Sequence, residues 1–495
     1  MTFQTSALLL PATSRRGLVV QTFCLLLESF NAAVSQTTES RRQGGRLSFC
    51  LLYALLDQRD QREFIALIVY YSCGDPFDLA NDRRVACRRW YHQLRVPGGI
   101  IERRRGVMDF ELSEEQRILV DTLRDMGKRE DFRSLAAEID RTAAFPRYLA
   151  ERYAEMGLLG MTLSLEFGGG GQVGINAILA IEELAKFSPV IATPVFESNI
   201  GPVKVIDSFG TLHQKSNIIP GVCKGTMSVS VGMTEPDAGS DLTSLSTRVV
   251  EDGDGYLLNG RKIFISGGGE ATHYLVYCRF GSVPGSRGIG AVVVERGTPG
   301  FSFGEQEQFM GLRGMASCDL IFDDVRLARD SVVIGAGEFR SLMTTFDLER
   351  CGNAAMCLGV AGGALEEAKA YALERKAFGR PICEFQNVQL MIVDMSMRLD
   401  AARLLVYRAA SGAGQGFPSI YEAAMGKCFA NEMAAEVTST AMQVLGGYGY
   451  SKEFPLERMH RDALAWRVAG GTVQMLRITM ASMLFGRRFS QRAQL

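Results

Sequence analysis

The stretch Y-L-L-N-G-R-K-I-F-I-S, Tyr256 to Ser266, divides the chain. Its apolar residues recur at period two, the spacing of a half-buried strand. Asn259-Gly260 lies at its middle, and an Asn-Gly pair between two strand-like runs predicts a β-hairpin. His273 to Phe280, Ile289 to Glu295 and Cys318 to Val325 carry the same strand pattern. On both sides of this region the period becomes helical. Ser113-Glu-Glu-Gln116 has the form of a capping box, and Leu119, Leu123 and Met126 follow at helical spacing. Phe167-Gly-Gly-Gly-Gly-Gln172 reads as a loop and Ala177 to Lys186 as a helix. After about Gly337, helices are predicted at Ala354 to Ala370, Phe385 to Ala409, Ile420 to Leu445 and Thr472 to Phe485. The expected fold class is therefore α+β: a helical domain at 108–227, a β domain at 228–333 and a C-terminal four-helix bundle at 334–495.

A chain of 495 residues is long enough for two to four domains. Its net charge of −1 argues against a nucleic-acid binder, which shows a basic excess. Eleven cysteines without a C-x-x-C pair read as buried thiols in a reducing compartment. Four scattered histidines argue against a metal site, so none is expected. Residues 1–107 differ from the rest. They contain no lysine, and their arginines cluster, as in Arg103-Arg104-Arg105. Met1 to Phe23 is free of acids and resembles a transit peptide in composition. Phe64 to Tyr71 is apolar but too short to span a bilayer, so no membrane span is expected. Met108 is the next methionine after Met1 and opens the helical pattern. It is the expected functional start, with 1–107 disordered or a start-site artefact.

Several segments carry possible chemistry. Met233-Thr-Glu-Pro-Asp-Ala-Gly-Ser-Asp241 has the small residues of an anion-binding nest, although such a stretch alone is more often a plain turn. Arg375-Lys-Ala-Phe-Gly-Arg380 follows a helix, and Gln443-Val-Leu-Gly-Gly-Tyr-Gly449 ends one. Arg461-Asp-Ala463 precedes Ala469-Gly470-Gly471-Thr472. Taken singly, these are a helix-end arginine, a glycine cap and a surface ion pair.

In this order and spacing, from Met108 onward, the segments resemble those of the acyl-CoA dehydrogenases: T-E-P-D-A-G-S-D, N-G-R-K-I-F-I-S, F-D-D-V, R-K-A-F-G-R, Q-V-L-G-G-Y-G and G-G-T. Residues 1–107 lie outside the resemblance. It implies an FAD enzyme that oxidises an acyl-CoA to the trans-2-enoyl-CoA, with hydride transfer to flavin N5 and electrons passed to an electron-transferring flavoprotein. It implies a role in fatty-acid β-oxidation, in a bacterial cytoplasm or a mitochondrial matrix. Flavin contacts are implied for Val231, Met233, Thr234, Gly239, Ser240, Phe264, Ser266, Phe378 and Thr472. Arg375, Gln386, Gln443, Gly446 and Gly447 match the residues that hold the adenosine-diphosphate half of a neighbouring subunit's FAD, so a homo-oligomer, dimer or tetramer, is implied. Ser240 and Arg350 are implied in substrate binding. Phe264 and Ser266 stand where many members have Trp and Thr. The alternative for Phe264 is an ordinary strand-core aromatic.

Many members read Y-E-G-T where this chain reads A-G-G-T, and that Glu is their catalytic base. Here the position is Gly470. Long-chain and isovaleryl types carry the base on another helix, immediately before an arginine, and Phe346-Asp-Leu-Glu-Arg350 places Glu349 there. The resemblance thus implies Glu349 as base, with the Gly470 backbone N–H as a donor to the thioester oxygen. The plain alternative for Glu349 is an acid favoured by the dipole of a helix's first turn. Two other functions stay open: an enoyl-CoA reductase running in reverse, like the crotonobetainyl-CoA reductases, and a non-enzymatic acyl-CoA-binding or assembly protein.

Overall fold

The computed structural model describes residues 110–414 and 416–489, and before them the backbone of two strands, Phe49–Leu56 (β1) and Phe64–Tyr71 (β2), paired antiparallel. The expectations for residues 1–107 and for a start at Met108 otherwise fall outside the described residues.

The first helical part comprises α1 (Glu114–Arg129), α2 (Phe132–Thr142), α3 (Tyr148–Glu155), α4 (Gly174–Ala185), α5 (Pro189–Asn199), α6 (Pro202–Phe209) and α7 (Leu212–Cys223). The capping box forms as read: Gln116 N–H donates to Ser113 Oγ at 3.2 Å and Ser113 N–H to Gln116 Oε1 at 3.0 Å. Strands β3 (Val229–Gly232), β4 (Arg248–Asp252), β5 (Gly255–Ser266), β6 (His273–Phe280), β7 (Ile289–Glu295), β8 (Phe301–Gln306), β9 (Ser317–Ala328) and β10 (Val332–Ile334) make one sheet. Its order is β10-β7-β6-β4-β5-β9-β8, with β3 paired parallel to β6.

The predicted hairpin at Asn259-Gly260 does not form. β5 runs straight through it, and the register against β9 slips between Leu258 and Gly260. The pair is a bulge. Asn259 faces Asp324 of β9, accepting from its N–H at 2.8 Å and donating to its carboxylate at 3.0 Å. Gly260, at φ +144°, lets Thr247 approach to where a Cβ would lie. The true hairpin turn is six residues earlier, at Gly253-Asp254 between β4 and β5.

The C-terminal part holds α8 (Phe339–Glu374), α9 (Gln386–Gly412), α10 (Ile420–Leu445), α11 (Leu456–Ala465) and α12 (Val473–Leu484). α8, α9, α10 and α12 pack as a bundle around α10. The joint before α12 is not short, because α11 occupies it. One apolar core joins α8, α9 and α10 to α1, α2, α4 and α5, while Val473 and Leu476 of α12 pack separately on Ala424 and Cys428 of α10. Close approach requires small residues on α8: a Cβ at Gly352 would collide with Ile200, which caps α5, and one at Gly359 with the carbonyl of Glu182 on α4. This places the C-terminal end of α5 against the middle of α8.

Two signature segments are tied by a buried ion pair. Lys262 of β5 is wholly buried, and its Nζ donates to Glu235 Oε1 at 2.8 Å and to the Met233 carbonyl at 3.0 Å. Glu235 also accepts from Ser246 N–H at 2.6 Å and Thr247 N–H at 2.9 Å. Lys262 and these donors hold its carboxyl down at about 2, against the opposing effect of burial. A carboxyl depressed in this way contributes stability above its unfolded value near 4.5 and loses it as pH falls towards 2. Glu235→Gln leaves the buried lysine without its countercharge. The expected loss is about 3 kcal/mol at pH 7, shrinking below pH 4, measured by denaturant unfolding across pH. A loss that does not vary with pH would contradict this account.

Candidate active site

Glu349 is the eleventh residue of α8, which begins at Phe339, so the helix dipole of a first turn does not account for it. Among the described residues its carboxylate has no hydrogen bond. It is half-buried beside Arg350 and Lys427. Burial pushes its carboxyl up to about 8, while Lys427 and Arg350 pull it down. Arg350 is itself buried. It pairs with Asp347, and its guanidinium lies 5.3 Å from the Phe346 ring centre.

Gly470 faces the same charges. Its φ is +64°, and a Cβ there would collide with Asn353 Nδ2 and stand 3.0 Å from Lys427 Nζ. The left-handed backbone disfavours a side chain at 470, and one would need the Asn353 amide to move aside. Lys427, from α10, is 0 % exposed, and its Nζ donates to three successive carbonyls: Ala469 at 2.5 Å, Gly470 at 2.7 Å and Gly471 at 2.9 Å. Burial and the Arg350 charge press its ammonium down to about 7, and Glu349 opposes them. The loop that carries Gly470 is therefore clamped from below by one buried cation. Thr472 closes it as the N-cap of α12, accepting from Met475 N–H at 3.2 Å.

Two further groups of predicted residues gather at separate places. Arg375, Gly446 and Gly447 line one cleft of ≈ 650 Å³ together with Tyr371 and Tyr448. A Cβ at either glycine meets nothing within 4 Å, so the backbone there is open. Gln443 and Gln386 are exposed, on the last turn of α10 and at the start of α9. R-K-A-F-G-R folds as a small hairpin in which Ala377 pairs with Arg380. Phe378 and Gly379, at φ +51° and +83°, make its turn and leave Phe378 94 % exposed.

Val231 on β3 and Met233 and Thr234 just after it are half-buried, whereas Gly239 and Ser240 are exposed. Thr234 is bonded to β5 through its carbonyl, which accepts from Ile263 N–H at 2.9 Å. Phe264 is not a strand-core aromatic. It stands at a second bulge of β5, at φ +57° and 53 % exposed, 6.1 Å from Phe309. A bulky residue in left-handed backbone is strained, and here the strain turns an aromatic face outward. Ser266, two residues on, is half-buried at the end of β5.

Sequence reasoning missed Lys427, Asn353, Glu197 and Trp466. Lys427 had a signal, since it interrupts the buried face Ala423, Ala424, Cys428, Asn431, Ala434 of α10. Arg461 and Asp462 are also more than a surface pair. Arg461 bridges Asp140 and Glu457, and the buried Asp462 accepts from Leu312 N–H at 2.6 Å.

Family models of the acyl-CoA dehydrogenase N-terminal, middle and C-terminal domains match residues 113–226, 230–325 and 337–485. The chain is 36 % identical over 379 residues to the short-chain specific acyl-CoA dehydrogenase of Clostridium acetobutylicum, covering 76 % of this chain and 100 % of that one. It is 35 % identical over 377 residues to the CarC subunit of the caffeyl-CoA reductase-Etf complex of Acetobacterium woodii, covering 75 % and 98 %. The butyryl-CoA dehydrogenase structure from Megasphaera elsdenii superposes with a TM-score of 0.73 at 35 % identity, covering 76 % and 100 %.

Proposed function

Because the chain belongs to the acyl-CoA dehydrogenase family, we propose that it oxidises an acyl-CoA with Glu349 as the base that removes the α-proton. The reaction is α,β-dehydrogenation of the thioester to the trans-2-enoyl-CoA. One observation carries the role of Glu349: its unbonded carboxylate lies beside the same lysine whose Nζ holds the Gly470 carbonyl, at the position where many relatives of this fold family carry their base and this chain has none.

The residues fit FAD. Gly239, Gly446 and Gly447 offer open backbone, Arg375 a cation, Phe264 an outward aromatic face and Ser266 a hydroxyl. When bound, FAD supplies the two-electron acceptor. Val231, Met233, Thr234, Ser240 and Thr472 belong to the same proposal on the flavin side, and Gln386, Gln443 and Phe378 on the side that receives a neighbour's cofactor. The chain's own part is acid–base. Glu349 holds the proton taken from the α-carbon, and Arg350 and Lys427 favour its ionised form. The Gly470 N–H, on the clamped loop, is the proposed donor to the thioester oxygen as enolate charge develops, with Ser240 and Arg350 as further substrate contacts.

The wider reading is a step of fatty-acid β-oxidation, in a bacterial cytoplasm or a mitochondrial matrix. No helix among the described residues is long and apolar enough to cross a membrane. An electron-transferring flavoprotein is the proposed electron partner, supported by the Etf-linked relative. That relative also supports a second reading, the reverse reduction of an enoyl-CoA, which would use the same groups.

We further propose a homodimer or homotetramer that shares its FAD sites. α9 exposes Leu390, Val393, Met397 and Leu404, and Phe378 stands clear of its own subunit. Light scattering of the FAD-loaded protein is expected to give a dimer or tetramer. A monomer holding one FAD per chain would refute the sharing.

Glu349→Gln is expected to slow bleaching of the flavin by acyl-CoA about 1000-fold while FAD stays bound. In the wild type kcat/KM is expected to rise with pH through about 8, because the base acts ionised. A carboxyl raised in the fold leaves stability intact below about 4.5 and lowers it as pH rises through about 8. The variant is therefore expected to be more stable than wild type at pH 8, on the order of 1–2 kcal/mol, and equal to it at pH 4. Normal bleaching by the variant would place the base elsewhere.

A further inference from the structure

Buried polar side-chain atoms in folded proteins almost always have partners, so those without one mark places where something else supplies it. Among the described residues six such atoms are unpartnered: Glu197 Oε2, Ser317 Oγ, Arg350 Nε, Asn353 Nδ2, Asn431 Oδ1 and Trp466 Nε1. All but Ser317 belong to one neighbourhood. Arg350 adjoins Glu349, and Asn353 lies against Gly470. Asn431 donates to the Trp466 carbonyl, and the Trp466 ring is 6.4 Å from Phe196, the neighbour of Glu197. The orphaned groups therefore gather in the neighbourhood of Glu349 and Gly470.

Glu197 stands out among them. It lies near the C-terminal end of α5, between Phe196 and Ile200, which both pack onto Gly352, one turn beyond Glu349. Glu197 and Glu349 are close enough for the charge of one to oppose ionisation of the other. Burial and that charge push the Glu197 carboxyl up to about 8. Among the described residues no hydrogen-bond donor reaches Oε2. Trp466 adds an indole N–H, in a residue only 6 % exposed, that also has no acceptor. A pocket meant for a plain alkyl chain has no need of either group, and leaving both dry is costly.

We propose that Glu197 is a specificity-determining residue of the acyl pocket, and that the preferred acyl group carries a neutral hydrogen-bonding function, a hydroxyl or an amide. Such a group donates to the Glu197 carboxyl and accepts from the Trp466 indole. A carboxylate-bearing acyl chain is disfavoured, because it would meet two acids. An alkyl chain leaves the polar atoms unpaired. This deepens the acyl-CoA reading of the site and rests on it.

The test is binding, so that it does not depend on turnover. Calorimetry of the FAD-loaded protein would use matched pairs, alkanoyl-CoA against ω-hydroxyalkanoyl-CoA, at four, five and six carbons. The hydroxylated member is expected to bind about tenfold more tightly at one length or more. Glu197→Leu is expected to abolish or invert that preference, and Glu197→Gln to keep most of it. If alkanoyl-CoA binds as well at every length, or if Glu197→Leu leaves the ratio unchanged, the proposal is overturned. Should neither member bind at any length, the proposal falls together with the acyl-CoA reading. Binding with the expected preference but without flavin bleaching would sustain the role of Glu197 and reject only dehydrogenation.

Discussion

One buried ammonium holds the site together. Lys427 Nζ donates to the carbonyls of Ala469, Gly470 and Gly471, so three consecutive peptide units turn their oxygens inward. A lysine wholly inside a protein is costly unless its donors are all used. Here the three donors have three acceptors, and Glu349 adds a countercharge. The clamp has two geometric consequences. It fixes the left-handed turn at Gly470, and it fills with its own Nζ and with Asn353 the space that a side chain at 470 would need. A base at 470 would need the Asn353 amide to move aside. Glu349 is the acid that faces the same lysine from α8.

The electrostatics suit acid–base work at neutral pH. Burial raises the Glu349 carboxyl, and two cations restrain the rise, leaving it near the range where a base is both ionised and able to hold a proton. The small residues of α8 serve the same end. Gly352 and Gly359 bring α5 and α4 against α8, so Phe196 and Ile200 pack on that helix one turn beyond the acid. The Glu235–Lys262 pair acts at a distance. It ties the loop after β3 to β5, and β5 presents Phe264 and Ser266.

The helices were legible from their long runs of helix-forming residues without a breaker, although α8 starts at Phe339, well before the predicted Ala354. Ile420 to Leu445 coincides with α10, and the box at Ser113 forms as written. The strands His273 to Phe280 and Ile289 to Glu295 were legible as short β-branched and aromatic runs, nearly continuously buried. Asn259-Gly260 misled because the same dipeptide suits a tight turn or a bulge, and only the partner strand decides. Asp324 of β9, sixty-five residues away, supplies the bonds that favour the bulge. Of the site, Glu349, Gly470 and the open glycines were readable only through the resemblance. Lys427 and Glu197 were hidden because their meaning lies in which carbonyls or empty acceptors surround them, and those come from other helices.

The central claim is that Glu349 takes the α-proton. A 3-alkynoyl-CoA tests it directly. Removal of its α-proton and reprotonation at C4 isomerise it to an electrophilic 2,3-allene; a neighbouring carboxylate adds at C3 as an ester, and the resulting enolate takes up a proton. Mass spectrometry of the digested protein then locates the adduct. The account predicts modification on the peptide that contains Glu349 and none in the Glu349→Gln variant. An adduct on Glu197 or on any other residue of the wild type, with Glu349 unmodified, would contradict it.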